Sequence, residues 1–181
     1  MPIKPPHDKT LSHEDCNPTH LRDIASNVSD YYTPFQIIKK SGGVREIRAP
    51  KPILKTIQRR INTRIFSHCT FPLYLQGSIK DNLNPRDFFS NAKIHSSSKT
   101  VIAADIENFY PSVSAGSVKQ VFKYLFKFPD DVADFLVSLT TLDGALPQGA
   151  PTSSYLANLI FLIFNIRSSR SFRGPIFYIR D

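Results

Sequence analysis

Residues 146–154, Leu146-Pro147-Gln148-Gly149-Ala150-Pro151-Thr152-Ser153-Ser154, constrain the fold more than any other stretch of this chain. Pro147 and Pro151 each fix φ and remove a backbone donor, so neither a helix nor a central strand runs through the segment. Gly149, between them, lets the backbone approach a ligand closely. The hydroxyls of Thr152, Ser153 and Ser154 suit the start of a helix, where free N–H groups need acceptors and can also meet a phosphate. Taken alone, the same residues describe an ordinary capped helix after a tight turn.

Upstream, Val101-Ile102-Ala103-Ala104 reads as an apolar strand ending at Asp105, followed by Ile106-Glu107-Asn108-Phe109-Tyr110-Pro111-Ser112. A carboxylate delivered by a buried strand can hold Mg²⁺. An aromatic a few residues on can pack against a sugar and exclude a 2′-hydroxyl. An acid at a strand end also serves as a turn or cap residue, and Tyr110 also fits plain core packing.

With 41% apolar residues in 181, the chain can bury a core for one domain, or one domain with a lobe, and 14 prolines enforce many breaks. Cys16 and Cys69 are too few for a disulfide framework or a zinc site, which implies a reducing compartment. The N-terminus lacks the apolar run of a signal peptide. The greasiest stretch, residues 155–164, contains Asn158 and has about half the length that spans a bilayer. It is expected to be a buried helix in a cytoplasmic protein with no membrane partner.

Charge is concentrated. Residues 31–66 hold Lys39, Lys40, Arg45, Arg48, Lys51, Lys55, Arg59, Arg60 and Arg64 against Glu46 alone, a surplus equal to the whole net charge of +8. Such a face favours a polyanion through counterion release. A solvated surface that aids solubility is the plainer reading.

Residues 1–30 read as a leader, Pro-rich at first and weakly helical over 21–28. Apolar stretches around Ser41-Gly42-Gly43 predict a β-hairpin with a basic tip, ended by Pro50 and Pro52. Leu54, Ile57, Ile61 and Ile65 form a helical stripe to about residue 66, with Lys51, Lys55 and Arg59 on another face. Residues 71–85 look like loop. Further helices are predicted over 86–95, from Ser112 or Ser114 to 126, over 130–139 and over 152–166. A last strand covers 176–179. Helices alternating with short strands argue for α+β or α/β.

The order of these segments resembles the reverse transcriptase family, particularly its bacterial retron- and group-II-intron-like branch, which includes defence-associated enzymes. The matching residues are Lys40-Ser41-Gly42-Gly43-Val44-Arg45-Glu46-Ile47 with Pro50, Leu54, Lys55 and Gln58, then Asn91-Ala92-Lys93-Ile94-His95, the Asp105 segment, and residues 146–158. The resemblance covers roughly residues 31–181. It implies an α+β right-hand polymerase, with fingers over 31–100 and palm over 101–181 behind the leader of 1–30. The implied reaction is RNA-directed DNA synthesis with two Mg²⁺ ions, for which Mn²⁺ can substitute. Asp105 is then the catalytic carboxylate and a metal ligand, with the Ile106 backbone carbonyl touching the second ion. Lys40 and Arg45 meet the triphosphate, Tyr110 is the sugar gate, and Gln148 and Gly149 line the nucleotide site. Lys51, Lys55, Arg59, Asn91, His95, Pro151 and Thr152 are expected to meet nucleic acid. The implied partners are an RNA template, a DNA or RNA primer, dNTPs and a cognate noncoding RNA, in a bacterial cytoplasm.

The family's third palm motif, a hairpin bearing Asp-Asp, usually lies about three or four residues after a Tyr-x-Arg like Tyr178-Ile179-Arg180. Here Asp181 follows Arg180 as the last residue, so the palm is expected to be incomplete and the thumb absent. One carboxylate does not place two divalent ions, and the chain alone is expected not to extend a primer. A second reading is a catalytically dead RNA-binding remnant, or a subunit of a bacterial defence system completed by another chain. RNA-directed RNA synthesis is a third, and the bulk of Tyr110 opposes it.

Overall fold

The computed structural model describes residues 17–38, 42–81, 84–102 and 105–168. Asn17 caps the first helix by accepting from the Thr19 N–H at 3.0 Å, and Pro18 follows where a missing N–H costs nothing. That helix, α1 (Pro18–Ser26), buries Ile24 completely, so this part of the expected leader packs with the folded body.

Strands β1 (Tyr32–Ile38) and β2 (Val44–Pro50) pair antiparallel, from Tyr32 with Pro50 to Ile38 with Val44, as the sequence predicts. Gly42 and Gly43 both take positive φ, +81° and +84°, in the turn between them. Pro34 lies opposite Arg48, whose N–H points away from β1 to the Gln148 carbonyl at 2.8 Å. The pair is therefore a non-hydrogen-bonded one, where a proline needs no donor. It also follows that β2 is held between β1 and the turn at Gln148.

Helix α2 (Pro52–Arg64) buries Leu54, Ile57, Gln58 and Ile61 and leaves Lys51, Lys55 and Arg59 exposed at its start and along its outer face. It ends two residues earlier than predicted, where a 3₁₀ turn (Phe66–His68) takes over. The loop after it has no regular structure among the described residues, as expected, but Arg86 fixes its path. The Arg86 side chain is 3% exposed. Its guanidinium donates to the carbonyls of Phe71 at 2.8 Å, Pro72 at 2.6 Å and Leu75, and meets Asp81 at 3.3 Å. Helix α3 (Phe88–Ile94) begins only after it, with the Asp87 carboxylate accepting from the Ser90 N–H at 2.7 Å. That bond holds the Asp87 carboxyl below its usual range.

The strand expected over 101–104 is not formed in its described half. Val101 and Ile102 are 60% and 88% exposed and pair with no strand among the described residues; Ala103 and Ala104 lie outside these. An apolar run becomes a strand only when a neighbour takes its backbone groups and covers one face. The strand expected over 176–179 also lies outside the described residues.

A single turn, α4 (Phe109–Ser112), precedes α5 (Ala115–Gln120). Ser114 rather than Ser112 is the cap, its hydroxyl accepting from the Ser117 N–H at 3.2 Å. A π-helical turn (Val121–Leu125) continues α5, and α6 (Asp130–Thr140) returns antiparallel charge against it. Lys119 meets Asp134 at 2.7 Å and Lys123 meets Asp130 at 2.8 Å. Helix α7 (Ser153–Ser168) buries Leu156, Ala157 and Leu159. No helix among the described residues is long and apolar enough to cross a membrane.

One hydrophobic cluster joins α1, β1, α2 and the segments from α4 to α7, running from Ile24 to Phe161. Phe66 sits at its centre, with ring centroids 5.9 Å from Phe122 and 5.8 Å from Tyr155. Gln58 is fully buried within it, donating to the Tyr32 hydroxyl at 2.8 Å and to the Leu139 carbonyl at 2.9 Å. One amide thus ties β1, α2 and α6 together. Burial pushes the Tyr32 hydroxyl up to about 12, against the opposite pull of the Gln58 bond. The body is mixed helix and sheet, compatible with α+β.

Candidate nucleotide and nucleic-acid site

Residue alternation on β2 puts Arg45 and Ile47 on one face, two positions apart. The Arg48–Gln148 backbone bond then brings the Pro147–Pro151 turn against that strand. Contact there is close. Gly149 has φ +115°, and a Cβ on it would lie 2.7 Å from Ile47 Cγ2 and 3.2 Å from the Arg48 carbonyl oxygen. The group that approaches Gly149 most closely in the structure is β2, and Gly149 also lines the cleft described next.

Between these parts lies a cleft of about 320 Å³, lined by Arg45, Ile47, Tyr110, Gln148, Gly149, Pro151 and Ser154, with Ala150 and Ser153 completing it. Tyr110 reaches it from α4, its hydroxyl 3.4 Å from the Ser154 hydroxyl on α7. The turn is braced from behind. Ser153 donates to the Pro147 carbonyl at 2.6 Å, and Asn62 of α2 donates to the Pro151 carbonyl at 2.8 Å. Ser153 therefore stiffens the turn with its hydroxyl instead of capping α7.

Of the residues expected in the nucleotide site, Arg45, Tyr110, Gln148 and Gly149 come together in this cleft, and Pro151 joins them. Lys40 lies outside the described residues. Lys51, Lys55 and Arg59 are exposed along the start and outer face of α2. Asn91 and His95 are half-buried at α3 and do not line the cleft. Thr152 does not line the cleft. Its side chain is fully buried. Ile47, Ala150, Ser153 and Ser154 also line the cleft, although the motifs that contain them assign them no place in the nucleotide site. Period-two alternation from Arg45 was the available signal for Ile47; the others follow only from how α7 turns.

Asp105 is exposed and does not line the cleft, and its carboxylate accepts from the Ile106 N–H at 3.0 Å. Among the described residues no group of three or more His, Cys, Asp or Glu is placed to hold a metal. Asp105 alone does not fit a Mg²⁺ site, which needs several oxygen ligands in octahedral array. Cys69 is a free thiol whose burial pushes its pKa up, away from the thiolate a metal or nucleophilic role needs.

No protein-family model matches the chain. The chain nevertheless belongs to the reverse transcriptase family, through relatives of one kind. They are retron enzymes. Retron Se72 reverse transcriptase of Salmonella heidelberg (strain 579083-10) is 44% identical over 139 residues, which is 76% of this chain and 36% of that protein. Retron Ec48 reverse transcriptase of Escherichia coli is 35% identical over 161 residues, 84% of this chain and 40% of that protein. Retron Mx162 reverse transcriptase of Myxococcus xanthus is 27% identical over 160 residues, 79% of this chain and 32% of that protein. The chain thus spans between about a third and two fifths of the length of these relatives.

Proposed function

We propose that the cleft between β2, Tyr110 and the Gln148 turn is the nucleotide site of an RNA-directed DNA polymerase. One observation carries this reading: Arg45, Tyr110, Gln148 and Gly149, from three separate segments, line the same cleft. The Arg45 fork suits a triphosphate, and the sequence resemblance assigns Lys40 to the same group. The Tyr110 ring lines the cleft with its hydroxyl beside Ser154, and in this reading it packs on the sugar and disfavours a 2′-hydroxyl. Gln148 offers a hydrogen bond to the nucleotide.

The hairpin and α2 serve as fingers in this reading, and the segments from Asp105 to α7 as part of the palm. The exposed cations Lys51, Lys55 and Arg59 take the phosphates of the RNA template and its primer. The relatives' names support a retron RNA as that template, in a bacterial cell. Asp105 would supply one carboxylate toward Mg²⁺, at a site that the described residues do not complete.

Nucleotide binding by this chain tests the proposal. A dNTP is expected to bind more tightly than the matching ribonucleotide, and Tyr110→Ala to erase most of that preference, by about tenfold. Equal affinity of the parent chain for both nucleotides would sink it.

A further inference from the structure

The hairpin carries an apolar strip beside the cleft. Phe35 pairs with Ile47, and Ile37 with Arg45, in the register of β1 and β2. Directly opposed residues point to the same face of a hairpin. Phe35 and Ile37 therefore extend the wall that Ile47 and Arg45 present to the cleft. They are 45% and 47% exposed. A contiguous exposed strip of this kind, flanked by charge, is the mark of a binding surface.

The charge is of one sign. Arg45 stands on the same face, and Lys51, Lys55 and Arg59 are exposed beyond the base of the hairpin. Glu46 points to the opposite face, where it pairs with Arg48 at 2.8 Å. An exposed ring among cations suits single-stranded nucleic acid, whose bases stack while its phosphates are neutralised.

We propose that Phe35, on the same face as Ile37 and Arg45, stacks an unpaired base of single-stranded RNA beside the cleft. This inference rests on the nucleotide-site reading above. Stacking tolerates every base, so the platform grips RNA of any sequence. It neutralises no phosphate, so it leaves no mark on the salt dependence of binding.

The test uses the 181-residue chain and short single-stranded RNAs carrying 2-aminopurine at successive positions, read by anisotropy and by base fluorescence. Phe35→Ala is expected to weaken RNA binding about tenfold with an unchanged salt slope, and to abolish quenching at one register. Phe35→Tyr keeps both affinity and quenching, which separates lost stacking from lost folding. Ile38→Ala, 81% exposed on the other face of β1, changes neither. Lys55→Ala lowers the salt slope by about one and leaves the quenching intact. If Phe35→Ala binds and quenches like the parent, the platform is wrong and the nucleotide site stands. If the parent chain binds no RNA even at low salt, both readings fall.

Discussion

At the Gln148 turn, groups are held by partners from elsewhere in the chain. The Gln148 carbonyl takes the Arg48 N–H at 2.8 Å, the Pro151 carbonyl takes Asn62 at 2.8 Å, and Gly149 lies against Ile47. At Asp105 the carboxylate is bonded by the very next residue, and Val101, Ile102 and Ile106 lie exposed around it. Tyr110 stands five residues from Asp105 and yet belongs to the first region. The difference teaches that the cleft is organised by this chain in advance of any ligand, whereas the carboxylate segment is not. Binding and chemistry should therefore separate in experiments on this chain.

The strongest way to break that contrast is Gly149→Ala. A Cβ there meets Ile47 at 2.7 Å with φ at +115°, so strain and overpacking together should cost about 2–5 kcal/mol. Urea unfolding should show the loss, and nucleotide binding should go with it. Parent-like stability would mean that the turn does not depend on its grip on β2.

Gln58→Ala comes next. It leaves the Tyr32 hydroxyl and the Leu139 carbonyl buried without their donor, a loss of about 2–3 kcal/mol in the same assay. Nucleotide affinity of the molecules that remain folded should not change, because Gln58 does not line the cleft. A fall in both would show that core and cleft are one unit.

A smaller effect follows from Tyr32. Its folded pKa of about 12 lies above the ordinary tyrosine value of about 10, so the protonated hydroxyl favours the folded state. That contribution is complete below pH 10 and is lost as pH rises through about 12. Denaturation midpoints followed through this window should fall, and Tyr32→Phe should remove that part of the fall.

The least effect is expected at Asp105. Asp105→Ala should shift stability by no more than about 0.5 kcal/mol and leave metal-free nucleotide binding unchanged. A marked loss of either would show that the carboxylate segment is tied to the cleft after all.

Much of the fold was legible in the sequence. The hairpin follows from two apolar stretches around paired glycines, α2 and α6 from their apolar spacing, and α7 from a continuous apolar run behind a cluster of hydroxyls. The meeting of Arg45, Tyr110 and Gln148 was legible only through the order of motifs, since no local pattern says which segments touch. Three features were hidden for physical reasons. Arg86 has the letter of a surface charge, and only the surrounding carbonyls make it a buried one. Gln58 looks like a polar helix residue until the Tyr32 hydroxyl and the Leu139 carbonyl are placed beside it. Val101 and Ile102 have the composition of a strand, but composition does not supply the neighbour that a strand needs.

The Arg86 fork has a further consequence for the loop it holds. It takes the carbonyls of Phe71, Pro72 and Leu75, and a carbonyl is offered by every residue type. The route of that loop is thus specified from outside it, with Asn158 of α7 adding a clasp on the Gly77 carbonyl at 2.9 Å. Side chains that point to solvent, such as Leu73 and Lys80, are then free to vary without moving the frame. Such a loop is a ready mount for grafting, where the outward surface can be rewritten and the scaffold left alone.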